Sequence, residues 1–416
     1  MKVLTDSIIY LASSILNRAI PFLLLPILTF YLSPEEYGIL SIFLIFITFY
    51  NAFIGMNITT NISKNFFNIS KKEMASMIGN ILIILSLSCL IYFIITIFTS
   101  LFFSEIFSIP SKWFIVIPII SLLIMINMTL KTTLRNEGKA LLFGVFEISH
   151  TILNMGITIL LLIIFSYGWH ARIFGMLYSY LIFVFIAIIY LNKEDYLTLK
   201  INKNHIKSIL KVSVPLIPHA LGGIILTMSD RIFIEKMINI ESVGIYSVGY
   251  TFGMITLVFT ESFIKAWSPW FYKTLSSPTK EKKVLIVKYS YLYILSVFIL
   301  AICIAYIGKI ILPFLVDSSY YDAAQYILWI SLGYAMFGTY QIIFPYLVHI
   351  NRTSFLGFST AFSAGVNLIL NYYLIQYYGA IGAAYATFLS YFIMFILISI
   401  YAQKNYPMPW LNAIKS

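Results

Sequence analysis

Eight polar residues stand inside long apolar runs, where a charge or an unpaired hydrogen-bonding group is costly: Asn17, Arg18, Glu147, His219, Asp230, Arg231, Glu261 and Lys265. An ionised side chain at bilayer depth costs about 3 kcal/mol even on lenient insertion scales, so it normally faces a wet cavity and a partner. Arg18, in Asn17-Arg18-Ala19-Ile20-Pro21, lies well into the first apolar run, too deep to snorkel easily. It reads either as an anion-binding cation in a cavity or as the partner of Glu147. Asp230 and Arg231 are adjacent, which on a helix points them about 100° apart and argues against a side-by-side pair. They either line the cavity or sit at the outer interface, with Arg231 paired to Glu235. Glu261 and Lys265 are spaced four apart, Glu first, a favourable helical pair. Lys265, flanked by Trp267 and Trp270, suits snorkelling to headgroups as well as a cavity role. His219 and His150 are lone membrane histidines, suited either to proton relay or to hydrogen-bonded packing. Asn154, Asn367 and Asn371 suit joining helices or lining a sugar path. Arg172 reads as a gate at the outer mouth or as a loop cation. The chemistry of this set is reversible binding of a charged group.

The elements that must position these residues follow from composition. Of 416 residues, 60% are hydrophobic and 10% charged, against roughly 45–50% and about 25% in soluble domains. That excludes a soluble enzyme, a disordered chain and a disulfide scaffold. No GxSxG, HExxH, GxxxxGK[ST] or CxxC occurs, so no catalytic residue, metal site or cofactor is expected. Cys89 and Cys303 lie in apolar runs and read as inert thiols. The net charge of +11 does not point to nucleic acid, because the cations cluster in short polar breaks, as in a positive-inside membrane protein. The first apolar run is too long for a signal-peptide core and has no small-residue cleavage site.

A transmembrane helix needs about 20 apolar residues, and the runs lack the alternation of barrel strands. The expected spans are 8–32, 38–60, 76–101, 113–134, 141–165, 173–191, 212–234, 243–267, 285–307, 323–348, 355–376 and 381–402. With both termini inside, twenty of the 27 cations fall on the inner side and four on the outer. The chain therefore reads as an all-α polytopic membrane protein of about twelve helices. It divides into a six-helix lobe over 1–195, a cytoplasmic linker over 196–211 and a second six-helix lobe over 212–416. Two prolines and two glycines in span 7 (Pro215, Pro218, Gly222, Gly223) predict a bent helix. Internal repetition supports two halves. Glu35-Glu36-Tyr37-Gly38-Ile39-Leu40-Ser41 echoes Glu241-Ser242-Val243-Gly244-Ile245-Tyr246-Ser247. Tyr167-Gly168 and Ser179-Tyr180 match Tyr378-Gly379 and Ser390-Tyr391. An even number of spans per half makes the repeats parallel and pseudo-symmetric.

Three groups of residues carry a family resemblance. They are Asn17-Arg18…Pro21…Pro26 with Leu32-Ser33-Pro34-Glu35-Glu36-Tyr37-Gly38; Val214-Pro215-Leu216-Ile217-Pro218-His219 running to Asp230-Arg231-Ile232-Phe233-Ile234; and Gly244-Ile245-Tyr246-Ser247-Val248-Gly249-Tyr250 with the closing Asn367, Asn371 and Gly379-Ala380-Ile381-Gly382-Ala383-Ala384. Together they resemble the Wzx-type polysaccharide flippases of the multidrug/oligosaccharidyl-lipid/polysaccharide exporter superfamily. The resemblance implies two six-helix lobes around a central cavity. It also implies movement of an undecaprenyl-pyrophosphate-linked oligosaccharide from the inner to the outer leaflet of a bacterial cytoplasmic membrane, by alternating access, in surface polysaccharide (O-antigen or capsule) synthesis. Partners would be that lipid-linked substrate, membrane lipids and polysaccharide assembly proteins. A drug/cation antiporter of the same fold and a membrane glycosyltransferase or polymerase are the rival expectations. The positions carried over are the span 1 arginine, Arg18, and the pair Asp230-Arg231.

Overall fold

The computed structural model describes Ile20, residues 22–352 and residues 354–410, except the side chain of His219. Asn17 and Arg18 lie outside the described residues. The described chain is mostly helical, with no strand among the described residues. Its helices are α1 (Phe22–Tyr31), α2 (Pro34–Gly55), α3 (Thr60–Asn65), α4 (Lys71–Ile106), α5 (Ser111–Phe114), α6 (Val116–Asn136), α7 (Ala140–Ile163), α8 (His170–Lys193) and α9 (Lys203–Ser213). There follow α10 (Ile217–Met237), α11 (Ile240–Gly253), α12 (Ile255–Leu275), α13 (Lys280–Leu315), α14 (Ala324–His349), α15 (Ser354–Tyr378) and α16 (Ile381–Asn405). Among the described residues, nine helical segments are long and apolar enough to cross a membrane, or ten if the bent pair Lys203–Leu216 and Ala220–Met237 is one span. The protein is thus a multi-pass membrane protein, and the expected count of twelve is not reached by these segments. The bent pair turns by 41°, where the prolines of span 7 remove backbone donors.

Two expected spans differ in extent. α4 and α13 each run for 36 residues, about 54 Å at 1.5 Å per residue, well beyond a hydrocarbon core of about 30 Å. The apolar stretches of both are shorter than the helices, whose polar first turns, Lys71-Lys72-Glu73 and Lys280-Glu281-Lys282-Lys283, continue them into the headgroup region. The expected eighth span is two helices, α11 and α12, which meet at Met254.

The chain divides into two compact units, Met1–Leu221 and Gly222–Ser416. In the first, α6 packs on α2, α4 and α8, and α7 packs on α8. Its core includes Ile78, Ile81, Leu85, Leu130 and Ala187. In the second, α14 packs against α11, α12, α13 and α16, while α15 lies on α16. Phe271, Ile342, Tyr346 and Ile398 are among its core residues.

The repeated motifs mark helix starts. Ser33 opens α2 with a capping box: Glu36 N–H donates to Ser33 Oγ (3.2 Å) and Ser33 N–H to Glu36 Oε2 (3.3 Å). Its counterpart helix, α11, is capped by Asn239, whose Oδ1 accepts from Ser242 N–H at 2.8 Å. Gly168 and Gly379, ahead of α8 and α16, both take left-handed backbone, at φ 55° and 68°. A Cβ at Gly168 would also collide with Glu36 Oε1, whereas nothing lies near one at Gly379. We predict that Gly168→Ala lowers stability by more than Gly379→Ala, which carries only the left-handed cost of about 1–2 kcal/mol. Thermal melting of the two variants in detergent checks this, and equal shifts would contradict it.

Residues 194–213 pack within unit 1, against α3 and α4. Asn80 on α4 grips both sides of the strap: its Nδ2 donates to Lys200 C=O (3.0 Å) and its Oδ1 accepts from Asn202 N–H (2.9 Å). Thr198 N–H donates to Ala75 C=O at 3.2 Å. Asn61 Nδ2 donates to Ser213 Oγ at 2.9 Å, and Ile209 of α9 is buried. At the start of the strap, Lys139 Nζ lies 2.9 Å from Glu194 and 3.2 Å from Glu137. The Lys139 hydrogen bond holds the Glu194 carboxyl below the usual carboxylate range. Burial lowers the Lys139 ammonium, but its bonds to Tyr190, Glu194 and Glu137 outweigh this and hold it above its ordinary value. A depressed carboxyl contributes above its unfolded value and loses that contribution as pH falls through its lowered folded value. Protection factors of the amides over 194–202, with the intrinsic pH dependence of exchange divided out, should therefore fall when pH drops below the carboxylate range and stay flat near neutrality. No change in acid would contradict this anchoring.

Candidate functional site

The buried ionic centre of unit 2 is built from three helices. α10 supplies Asp230 and Arg231. α11 supplies Tyr246, Ser247 and Tyr250, the two tyrosines four apart and hence on one face. α14 supplies Tyr334. Asp230 is 2% exposed. Its Oδ2 accepts from Tyr246 Oη–H at 2.7 Å and its Oδ1 from the Arg231 N–H at 2.8 Å. The guanidinium of Arg231 lies over the Tyr250 ring, 3.9 Å from its centroid. Arg231 Nε donates to Ser247 Oγ at 3.1 Å, and Nη1 reaches Thr227 C=O at 3.4 Å. The Tyr250 and Tyr334 hydroxyls meet, and Tyr250 Oη–H also reaches Thr227 C=O at 3.0 Å.

Here the sequence expectation needs correction. Adjacent Asp230 and Arg231 do meet, with Nη1 3.5 Å from Oδ1. Their Cβ directions diverge, but the long arginine chain folds back while Ser247 and the Tyr250 ring fix its plane. The contact is at the long end of a hydrogen bond, so the carboxylate's firmest donors are Tyr246 and the backbone. Arg231 Nη2 has no hydrogen-bond partner among the described residues. A guanidinium held flat by Nε and ring contacts, with Nη2 unused, can still present N–H groups to an oxyanion.

The other expected residues fall elsewhere. Glu147 lies in unit 1, with Oε2 3.1 Å from Lys131 Nζ on α6. Lys131 had counted as an inner-side cation. One turn in from the end of α6, it points at α7 instead. Glu261 and Lys265 lie on α12, where Glu261 is half-buried and Lys265 exposed. His219 is in α10, and its side chain lies outside the description. His150 packs against the rings of Tyr180 and Phe183, at centroid distances of 4.3 and 5.0 Å. The asparagines join helices: Asn154 Nδ2 donates to Ser179 Oγ (2.8 Å), and Asn367 Oδ1 accepts from Ser229 Oγ–H on α10 (3.0 Å) and from Asn371 Nδ2 (3.0 Å).

Sequence reasoning missed four of the side chains that hold the Asp230–Arg231 pair: Tyr246, Ser247, Tyr250 and Tyr334. The signal for three lay in the Gly244–Tyr250 motif, whose Tyr-Ser-x-x-Tyr spacing puts two hydroxylated rings on one face. Tyr334 carried no signal. Arg172 was read as a loop cation or gate, but it stands in the first turn of α8 with Nη1 donating to Asn154 Oδ1 and reaching Thr158 Oγ1 at 3.4 Å. These two α7 positions are one turn apart, which gives the arginine a polar seat on the neighbouring helix.

Residues 3–275 match the family model described as polysaccharide biosynthesis protein. A Haemophilus influenzae protein named for the Lsg locus is 25% identical over 371 residues, covering 85% of this chain and 86% of that protein. An uncharacterised membrane protein of the same organism is 24% identical over 378 residues, covering 88% of this chain and 89% of its own length. Among solved structures, the lipid II flippase MurJ in an inward closed conformation is similar at a TM-score of 0.74 and 16% identity, covering 99% of this chain and 91% of MurJ. An inward-facing multidrug resistance MATE family transporter of the MOP superfamily is similar at 0.71 and 14% identity, over 96% of both chains. The fold is thus of the MATE and MurJ type, and both neighbours are carriers rather than enzymes. The chain belongs to the polysaccharide biosynthesis protein family.

Proposed function

We propose, with that membership as the premise, that the protein is a flippase for a lipid-linked oligosaccharide, moving it from the inner to the outer leaflet of a bacterial cytoplasmic membrane by alternating access. The carrier lipid is undecaprenyl pyrophosphate and the pathway is surface polysaccharide synthesis of the O-antigen or capsule kind. The observation that carries this reading is the Arg231 guanidinium, kept inside an apolar helical unit by Asp230, Ser247 and Tyr250 with one terminal nitrogen unused. A diphosphate is the headgroup chemistry that such a planar donor recognises. Arg18 is the proposed second cation, and Asn17, Glu147, His219, Glu261 and Lys265 are the other proposed substrate-binding residues. The 20-to-4 cation asymmetry supports cytoplasmic termini, with polysaccharide assembly proteins as partners.

The antiporter reading needs a carboxylate available to a cation. Asp230, the most buried acid of unit 2, already accepts from Tyr246 and Arg231, which favours the flippase. Two experiments test the proposal. Proteoliposomes containing the purified chain should expose a fluorescent undecaprenyl-diphosphate sugar on the opposite leaflet, and protein-free rates would sink the flippase reading. In cells, Arg18→Ala at normal protein level should reduce surface polysaccharide, and full display would remove Arg18 from the site.

A further inference from the structure

Toward the basic end of unit 2, Tyr291 and Ile294 of α13 (about three turns in from its start) and the last turns of α14 and α16 line an open-sided cavity of about 610 Å³. Its walls are apolar: Tyr291, Ile343, Tyr346, Phe395, Ile400 and Trp410 contribute most of them. The chain after α16 closes one side. Gln403 and Met408 exchange two hydrogen bonds, Nε2–H to C=O at 3.1 Å and N–H to Oε1 at 3.0 Å, and Tyr291 Oη–H donates to Trp410 C=O at 3.1 Å.

Three features at this cavity call for an anionic occupant with a long apolar tail. Lys404 is in its lining, and Lys283 Nζ sits 4.4 Å from the ring centroid of Tyr406, another lining residue. Neither lysine pairs with a carboxylate among the described residues. The Ser399 hydroxyl, also in the lining, is buried with no hydrogen-bond partner among the described residues, a donor left for an ester or phosphate oxygen. The volume falls within the 300–1,000 Å³ range of small-molecule sites. The end of the unit that carries it bears Lys280, Lys282, Lys283, Lys288 and Lys404. Basic pockets between helices at a membrane interface suit anionic lipid headgroups.

We propose that this cavity is a binding site for an anionic phospholipid of the surrounding membrane, its acyl chain among the aromatic walls, its phosphate between Lys283 and Lys404, and Ser399 donating to the glycerol-ester region. The site lies within unit 2 and is independent of the transported headgroup. Held there, the lipid ties α13, α14 and α16 together at the turn where the chain leaves α16.

Native mass spectrometry of the delipidated full chain, with dioleoylphosphatidylglycerol or dioleoylphosphatidylcholine added, tests it. Phosphatidylglycerol should be retained in preference and should raise the melting temperature, and inorganic phosphate alone should not. The Lys283→Gln/Lys404→Gln double variant should melt as the parent does without lipid and bind phosphatidylglycerol about 30-fold more weakly, at about 1 kcal/mol per lysine. Ser399→Leu, which fills the cavity and leaves both lysines, should lose retention as well. Equal retention of the two lipids, stabilisation by phosphate alone, or unchanged binding by the double variant overturns the proposal. So does displacement of the phospholipid by undecaprenyl phosphate, which would make the cavity a substrate-tail site.

Discussion

Export should collapse when Arg231 becomes Gln in a chain that also carries Asp230→Asn. Removing Arg231 alone would strand a buried carboxylate, so the paired neutral variant is the cleaner change. It removes both charges of the pair together and leaves an amide of similar shape at each position. Two charge-assisted hydrogen bonds to an oxyanion contribute roughly 3 kcal/mol together, about a hundredfold. Surface polysaccharide at normal protein level should fall by about that factor. Arg231→Lys should be intermediate, because it retains the positive charge but loses the planar fork and the stacking on Tyr250. If the paired neutral variant exports normally, Arg231 has no part in recognising the substrate. If Arg231→Lys is fully active, charge alone suffices and the fork is irrelevant.

The second large effect is on stability. Asp230→Ala should destabilise unit 2 by about 3–5 kcal/mol, because it leaves a buried guanidinium without its counter-charge and the Tyr246 hydroxyl without its acceptor. Adding Arg231→Ala to Asp230→Ala should recover part of that loss, since the uncompensated charge is then gone, although a cavity remains. A double-mutant cycle read by thermal melting in detergent measures the coupling. Additive losses would mean that the 3.5 Å contact contributes nothing and that each residue is held by its own neighbours alone.

The helices were legible because lipid leaves the backbone few options. Runs such as Ile81–Ile95 and Leu292–Ile307 cannot leave polar groups unpaired, so length and apolarity suffice to identify them. The ends were less legible. α4 and α13 extend past the hydrocarbon because polar first turns are good helix formers, and hydropathy is blind to helix that lies outside lipid. The break at Met254 has no proline or glycine pair to announce it beyond Gly253. The strap at 194–202 looked like a linker, because the two hydrogen bonds of Asn80 are invisible in a stretch judged only by its polarity.

The site was half legible. Intramembrane Asp230 and Arg231 are conspicuous by their cost, but what tethers them is a set of tyrosines. Tyrosine is so abundant here, at 31 residues, that no single one stands out by composition. Helical spacing alone also misjudged the adjacent pair, since it locates Cβ atoms and says nothing about where a five-bond side chain ends. Tyr334 is 84 residues from Tyr250, and only the packing of α14 on α11 brings them together. Arg172 looked like a loop residue because it follows the turn at Gly168, yet its guanidinium reaches across to α7.

The most direct measurement compares headgroups in one proteoliposome preparation: fluorescent undecaprenyl-linked sugars joined through a diphosphate, a monophosphate or a neutral ether. Recognition of a buried diphosphate by Arg231 requires the diphosphate form to move fastest, the neutral form at the protein-free rate, and the difference to vanish in Asp230→Asn/Arg231→Gln. Equal rates for all three headgroups, or an unchanged preference in that variant, would contradict it.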